Sequence, residues 1–327
     1  MGILLTGSSG WLGRHVAARL SRQRVEFIGL DVAPGEYTDF VGSVADKRLI
    51  DDVMSKDVSA VIHTAALHKP QLDRRSASDF VEVNVTGTLN LLEAAVRFSI
   101  GSFVMTSTTS VMVTRQIHEG GLGRAVFLDE RSAPLEPRNV YGVTKLAAEG
   151  LARTFHLRHR LAMIVLRTAR FFPEEDDSER GIGGANLKAN EFLFRRLSVA
   201  DAADVHLLAL ERAPELGFGL FVLSAPTPFE PADAEVLARD AASVVAAYFP
   251  RAADIYARLG WQLPRVIGRV YDSTRSRKVL GFTYRDDFAA LLEALEHGDR
   301  SPIAHDASYR SPVDAVTTAE LRGLPGS

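Results

Sequence analysis

The chain has 327 residues, 46% of them hydrophobic, and a formal net charge of −3. Such apolar content is ample for a large core, and the near-neutral balance creates no field that would draw nucleic acid or an acidic membrane surface. A small-molecule substrate is therefore the expectation. There is no cysteine, which excludes disulfides, a zinc–cysteine centre and thiol catalysis. No apolar run reaches the roughly 18 residues that span a bilayer, and the first residues lack the pattern of a signal peptide, so a cytoplasmic protein is expected.

In chain order, apolar runs rich in β-branched residues alternate with helical patterns: GILLT (2–6), VEFIGL (25–30), SAVIHTA (59–65), GSFVMTS (101–107), LAMIVLRT (161–168) and FGLFVLS (218–224). Strands apolar on both faces and separated by amphipathic helices predict a doubly wound parallel α/β sheet. A charged, glycine-bearing stretch at 173–186 reads as a mobile loop. The expected organisation is a dinucleotide-binding domain over 1–172, to which 199–224 returns, a smaller substrate-binding region from 173–198 and 225–300, and an irregular tail over 301–327.

The first strand is followed by Gly7, Gly10 and Gly13 and then by a helical pattern carrying Leu12, Val16, Ala17 and Leu20. Strand, glycine turn and helix in that order predict a dinucleotide turn, with a pyrophosphate on the unpaired N–H groups of the helix start. Ser9, Trp11 and Leu12 fall within this turn and are counted with the cofactor-binding residues, although Trp11 also reads as a packing residue. The second strand ends in Asp31, about 20 residues downstream, where a carboxylate accepts hydrogen bonds from a ribose and repels a 2′-phosphate; NAD is preferred over NADP. Arg14 is the one residue that argues against this preference.

Tyr141 and Lys145 stand four apart at the start of a helical pattern, on one face. Lowering a phenol's pKa by about 3 units takes roughly 4 kcal/mol, which one ammonium at about 4 Å supplies at an effective dielectric near 20. His156 and His159, three apart on the same helix, have no carboxylate to complete a metal site; no metal is expected.

From TGSSGWLG through AVIHTAAL, NVTGTLNLLEAA, FVMTSTTSV, YGVTK, LRTARFF and SVADAADVHLLAL to DSTRSRKVLGF near Asp272, the sequence resembles the extended short-chain dehydrogenase/reductase family, also called the NAD-dependent epimerase/dehydratase family. The resemblance implies a Rossmann fold and a general acid/base at Tyr141. Lys145 would lower its pKa and hold the nicotinamide ribose. A substrate-binding hydroxyl would be Thr108, with Ser107 second. It places Thr64, Ala65 and Ala66 along the cofactor, and gives Asn84 a role in bracing the neighbouring loop or reaching Lys145 through water. His68, Lys69, Arg170, Asn186 and Asn190 are candidate substrate contacts.

The sequence departs from the family in three places. An aspartate that often binds adenine is replaced by Ser43 and Val44, so Val44 packing and backbone groups are expected to serve instead. Met112 and Val113 stand where tyrosine-glycine is usual. Thr109 and Ser110 stand where 4,6-dehydratases carry Asp-Glu, which disfavours dehydration. The implied function is hydride exchange with a secondary alcohol or ketone of a sugar or sugar-like substrate, as a dehydrogenase or as an epimerase through a transient ketone. A UDP-sugar 4-epimerase proper and a non-catalytic NAD-binding regulator are the alternatives, and regulators of this type typically lack the tyrosine or the lysine. A homodimer through the helices around 79–97 and 141–156 is implied by the resemblance alone.

Overall fold

The computed structural model describes residues 2–120, 122–173, 181–303, 306 and 309–324; positions 174–180 of the loop expected at 173–186 lie outside the described residues. The chain runs β1 (Gly2–Thr6), α1 (Trp11–Gln23), β2 (Phe27–Asp31), β3 (Phe40–Val41), α2 (Lys47–Met54) and β4 (Val58–His63). It continues with α3 (Ala77–Val81), a π-helical turn (Glu82–Thr86), α4 (Gly87–Arg97), β5 (Ser102–Thr108), α5 (Arg115–His118), β6 (Val126–Leu128) and α6 (Val140–His159). Then follow β7 (Ala162–Thr168), α7 (Gly184–Glu191), α8 (Val199–Leu216), β8 (Phe218–Leu223) and β9 (Arg269–Tyr271).

Seven strands form one parallel sheet in the order β3-β2-β1-β4-β5-β7-β8, so the doubly wound α/β architecture expected from the apolar runs is present. Alternate residues of each strand feed opposite faces. Leu4, Val61, Phe103 and Met163 join one apolar core together with residues of α2, α4 and α6. Ile3, Leu5, Ile62, Val104 and Ile164 join the other, with residues of α1 and α8. Each fully buried side chain of this kind stabilises the fold by roughly 1.5–3 kcal/mol, which is why the strands read as continuous apolar runs rather than alternating ones.

The strand order reverses between β1 and β4, whose register sets Thr6 beside Leu30 on one side and His63 on the other. A crevice at the carboxyl ends of these strands is where such sheets bind ligands. A further apolar core, headed by Phe192, Tyr256 and Phe288, lies outside the sheet, and a parallel pair β6-β9 accompanies it. The described residues 309–324 are not an irregular tail: Pro312–Asp314 and Thr318–Leu321 are short helices, and Leu321 is fully buried in the core that contains Leu4. Among the described residues no helix is long and apolar enough to cross a membrane.

Candidate active site

The site begins where β1 ends. The backbone turns through Gly7 at φ +77°, and a Cβ there would stand 2.8 Å from the Ala65 nitrogen. A Cβ on Gly13 would stand 1.8 Å from the Gly7 carbonyl oxygen, so the first turn of α1 can press onto the strand end only because both residues are glycine. Gly10, the residue before α1, supplies no side-chain cap, and the helix carries no acid in its first turn. The N–H groups at that end, of which the Trp11 N–H is donated to the Tyr309 hydroxyl, favour an anion.

Asp31 closes β2 beside this turn. Its carboxylate accepts from the Ser9 N–H at 2.9 Å and the Ala33 N–H at 3.3 Å, and burial raises its pKa against the pull of those donors. Arg14 is engaged elsewhere: it pairs with Asp306 at 3.3 Å and lies 4.2 Å from the centroid of the Trp11 ring. The residue that argued for a 2′-phosphate thus already has an anionic partner.

At the far end of the crevice, Asn139 caps α6 by accepting from the Gly142 N–H at 3.0 Å, which fixes the turn that carries Tyr141 and Lys145. The Tyr141 phenol shares a hydrogen bond with the Thr108 side chain, yet burial pushes its pKa up to about 12. Lys145, 2% exposed, is brought down to about 8 by burial, with the Glu149 carboxylate acting to hold it up. Glu149 in turn receives Arg167 at 2.7 Å and the Ser107 hydroxyl at 2.6 Å. Of the two candidate hydroxyls, then, Thr108 meets Tyr141 and Ser107 is engaged with a buried carboxylate.

One cleft of about 930 Å³, its solvent-open part included, unites the glycine turn, Asp31 and the Tyr141–Lys145 pair. Trp11, Leu12, Ser43, Val44 and the run Thr64, Ala65 and Ala66 also line it, as do His68 and Ser107. His68 stacks on Phe172 with ring centroids 4.6 Å apart and planes 3° from parallel, and its burial lowers the imidazole pKa to about 4. Ser9 stands just behind the wall, holding Asp31 with its N–H and the Ala33 carbonyl with its hydroxyl at 3.0 Å.

Other candidates stand apart from the cleft wall. Asn84, in the π-helical turn, clasps the backbone of Leu67 in both directions (2.8 and 2.9 Å) and donates to Thr144 at 3.1 Å; it braces the loop after β4 against α6. Arg170 pairs with the fully buried Glu191 at 3.0 Å. Asn186 and Asn190 both donate to the Gln262 carbonyl, at 2.9 and 3.1 Å, tying α7 to the loop before β9. Lys69, itself exposed, opens a 3-10 turn.

Several lining residues were absent from the sequence reading of the site, among them Phe172, Tyr309, Pro312, Val313 and Leu321. Only one signal pointed to the last group. Thr317 and Glu320 have capping-box spacing, and they do bond reciprocally, Glu320 accepting from the Thr317 N–H at 2.7 Å.

A parallel α/β sheet with a glycine turn, a strand-end acid and a paired tyrosine and lysine in one crevice defines a dinucleotide-dependent class of protein. Comparison with known proteins gives the family. The model of the NAD dependent epimerase/dehydratase family matches residues 3–190, and the chain belongs to this family. Over 195 residues, 55% of this chain, it is 30% identical to the low-salt glycan biosynthesis protein Agl12 of Haloferax volcanii; over 175 residues, 50% of this chain, it is 29% identical to the UDP-glucose 4-epimerase of Rhizobium meliloti. The chain spans only 60% and 50% of those relatives' lengths. A short-chain dehydrogenase/reductase superfamily protein of Agrobacterium tumefaciens, solved with bound NAD, superimposes with a TM-score of 0.64 over 92% of this chain and 98% of that one, at 25% identity.

The family's cofactor is NAD, and the crevice fits it on two structural counts. The glycine cradle has no room for a Cβ at Gly7 or Gly13, and the buried Asp31 carboxylate is oriented by the same turn. The glycines, Asp31 and the wall Thr64–Ala66 would hold it, with Lys145 near the nicotinamide ribose as the family resemblance implies.

Proposed function

We propose that the protein is an NAD-dependent oxidoreductase acting on a secondary alcohol of a sugar or sugar-like substrate, removing hydride and returning it to give net epimerisation. The observation that supports this most is the shared cleft: the dinucleotide turn and the Tyr141–Lys145 pair line one space, and Thr108 bonds to Tyr141. Bound NAD supplies the hydride acceptor. The chain supplies the proton chemistry. Tyr141 takes the hydroxyl proton as the ketone forms and gives it back on return, Thr108 donates to the phenol oxygen in its ionised form, and buried Lys145 provides a positive charge beside it. Thr109 and Ser110, in place of an Asp-Glu pair, argue against loss of water.

The test is direct. The purified protein, with its bound NAD quantified, is incubated with nucleotide-linked and free hexoses, and products are resolved by NMR while absorbance at 340 nm is followed. Epimer formation without net NADH is expected, and Tyr141→Phe is expected to slow it by about 10²–10⁴-fold with NAD content unchanged. Net NADH makes the protein a dehydrogenase. Full activity in Tyr141→Phe removes the proposed role.

The same reading includes a cytoplasmic homodimer, supported by the cysteine-free sequence and by apolar residues exposed on the two helices concerned: Val81 on α3 at 44%, and Val143 and Leu157 on α6 at 52% and 60%. Val143→Glu should yield monomers in light scattering if this face pairs copies of the chain.

A further inference from the structure

The segment 309–324 lies outside the matched family region, 3–190, yet it forms one wall of the cleft. At the glycine turn, the Tyr309 hydroxyl accepts from the Trp11 N–H at 3.1 Å, and the two rings meet edge to face 5.4 Å apart. In the middle, Arg75 donates to the carbonyls of Val313 and Val316, and Arg74 pairs with Asp314 at 3.0 Å. At the other end, the Leu321 carbonyl accepts from the Ser43 hydroxyl, Leu321 packs in the same core as Val44, and Arg322 pairs with Asp79 at 2.7 Å. Gly323, at φ +66°, lies against Asp46 so closely that a Cβ would be 2.7 Å from its nitrogen.

Two of these contacts engage groups that the dinucleotide needs. Trp11 N–H is a donor at the uncapped start of α1, where a pyrophosphate would rest, and a neutral phenol now holds it. Ser43 stands where the family often has an adenine-binding aspartate, and its hydroxyl is engaged with Leu321. The protein therefore presents this segment to the adenosine half of the cofactor.

We infer that residues 309–321 are a cofactor-retaining strap: Tyr309, Val313 and Leu321 form a wall that swings aside to admit NAD and closes over its adenosine half. This rests on the reading of the cleft as an NAD site. It also deepens that reading, because a strap that slows exchange suits a reaction in which the hydride returns to the same substrate, and opposes one that releases NADH at every turnover.

The experiment loads the full-length protein with 1,N6-etheno-NAD and follows its fluorescence as excess NAD displaces it, with association measured separately by stopped flow. Tyr309→Phe removes one oxygen, and Arg75→Ala with Leu321→Ala loosens the middle and far anchors. Both are expected to speed association and dissociation together, Tyr309→Phe by about two- to tenfold, the scale of one ordinary hydrogen bond lost from the closed state. Circular dichroism checks folding, and Tyr309→Phe keeps the test decisive if the double variant unfolds. Unchanged rates, or a faster dissociation alone, overturn the strap. If neither the folded parent nor the variants bind the analogue, the reading of the cleft itself falls; if only the variants bind it, the segment blocks the cleft and retains nothing, and the strap is overturned while the reading of the cleft stands.

Discussion

Tyr141 and Lys145 illustrate two opposed effects on a buried pair. Distance alone predicts that the ammonium lowers the phenol, whereas in the folded protein burial dominates both groups, pushing Tyr141 up to about 12 and Lys145 down to about 8. At neutral pH, then, the phenol of the cofactor-free protein carries its proton, and it would take one from a substrate only once the charges of Lys145 and bound NAD had ionised it; Lys145 keeps its charge, which it loses as pH rises through about 8. Glu149 opposes that loss, so Glu149→Gln is expected to move the alkaline limb of the kcat profile to lower pH; the amide keeps an oxygen for Ser107 and Arg167. An unmoved limb would show that Lys145 does not govern it. Residue identity made Tyr141, Lys145 and Asp31 legible, because their chemistry depends on spacing along one helix or on a strand end. It could not rank Ser107 against Thr108 on its own, or tell that Asn186 and Asn190 face Gln262, because those choices depend on partners far away in sequence.

Among elements, the β1–α1 turn is the one that local sequence specifies most fully. Gly13→Ala places a methyl 1.8 Å from the Gly7 carbonyl, so α1 must move off the strand. Thermal denaturation should show a loss of about 1–3 kcal/mol, typical of overpacking, and NAD binding by calorimetry should weaken with it; unaltered binding would mean that the cradle is not the pyrophosphate site. Six strands of the large sheet were legible because each is a run of five to seven residues built around at least three consecutive or near-consecutive apolar ones. β3, with two residues, and β6 and β9, with three each, were not: alternation cannot be recognised over so few positions. The π-helical turn was equally hidden, because nothing in EVNVT distinguishes it from the α-helix on either side, although it carries the Asn84 clasp.

The whole molecule depends on buried histidines as ties between elements. His63 bridges Thr6 of β1 at 2.8 Å and Thr88 of α4 at 3.1 Å, while His206 joins Thr106 of β5 at 2.8 Å to α8. Burial lowers their pKa values to about 3 and about 4, from 6.5. Between those values and 6.5 the unfolded chain binds more protons than the folded one, so the stability these groups contribute is present above pH 6.5 and is lost as pH falls. Each removes about 1.4 kcal/mol per pH unit well below 6.5, a serious loss for a fold stabilised by only about 5–15 kcal/mol. Asp31, Glu130 and Asp201, raised by burial, act in the opposite direction, so the overall slope is a net quantity and a single variant isolates the histidine part. His63→Gln should be less stable than the parent at pH 7, since the Thr6–Thr88 bridge is imperfectly replaced. In urea titrations between pH 6 and pH 4 its stability should fall less steeply, by about 1.4 kcal/mol per unit, the proton that His63 no longer takes up on unfolding. Parallel slopes for variant and parent would mean that the ring already carries its proton inside the fold, and that the Thr6–His63–Thr88 tie is built on imidazolium.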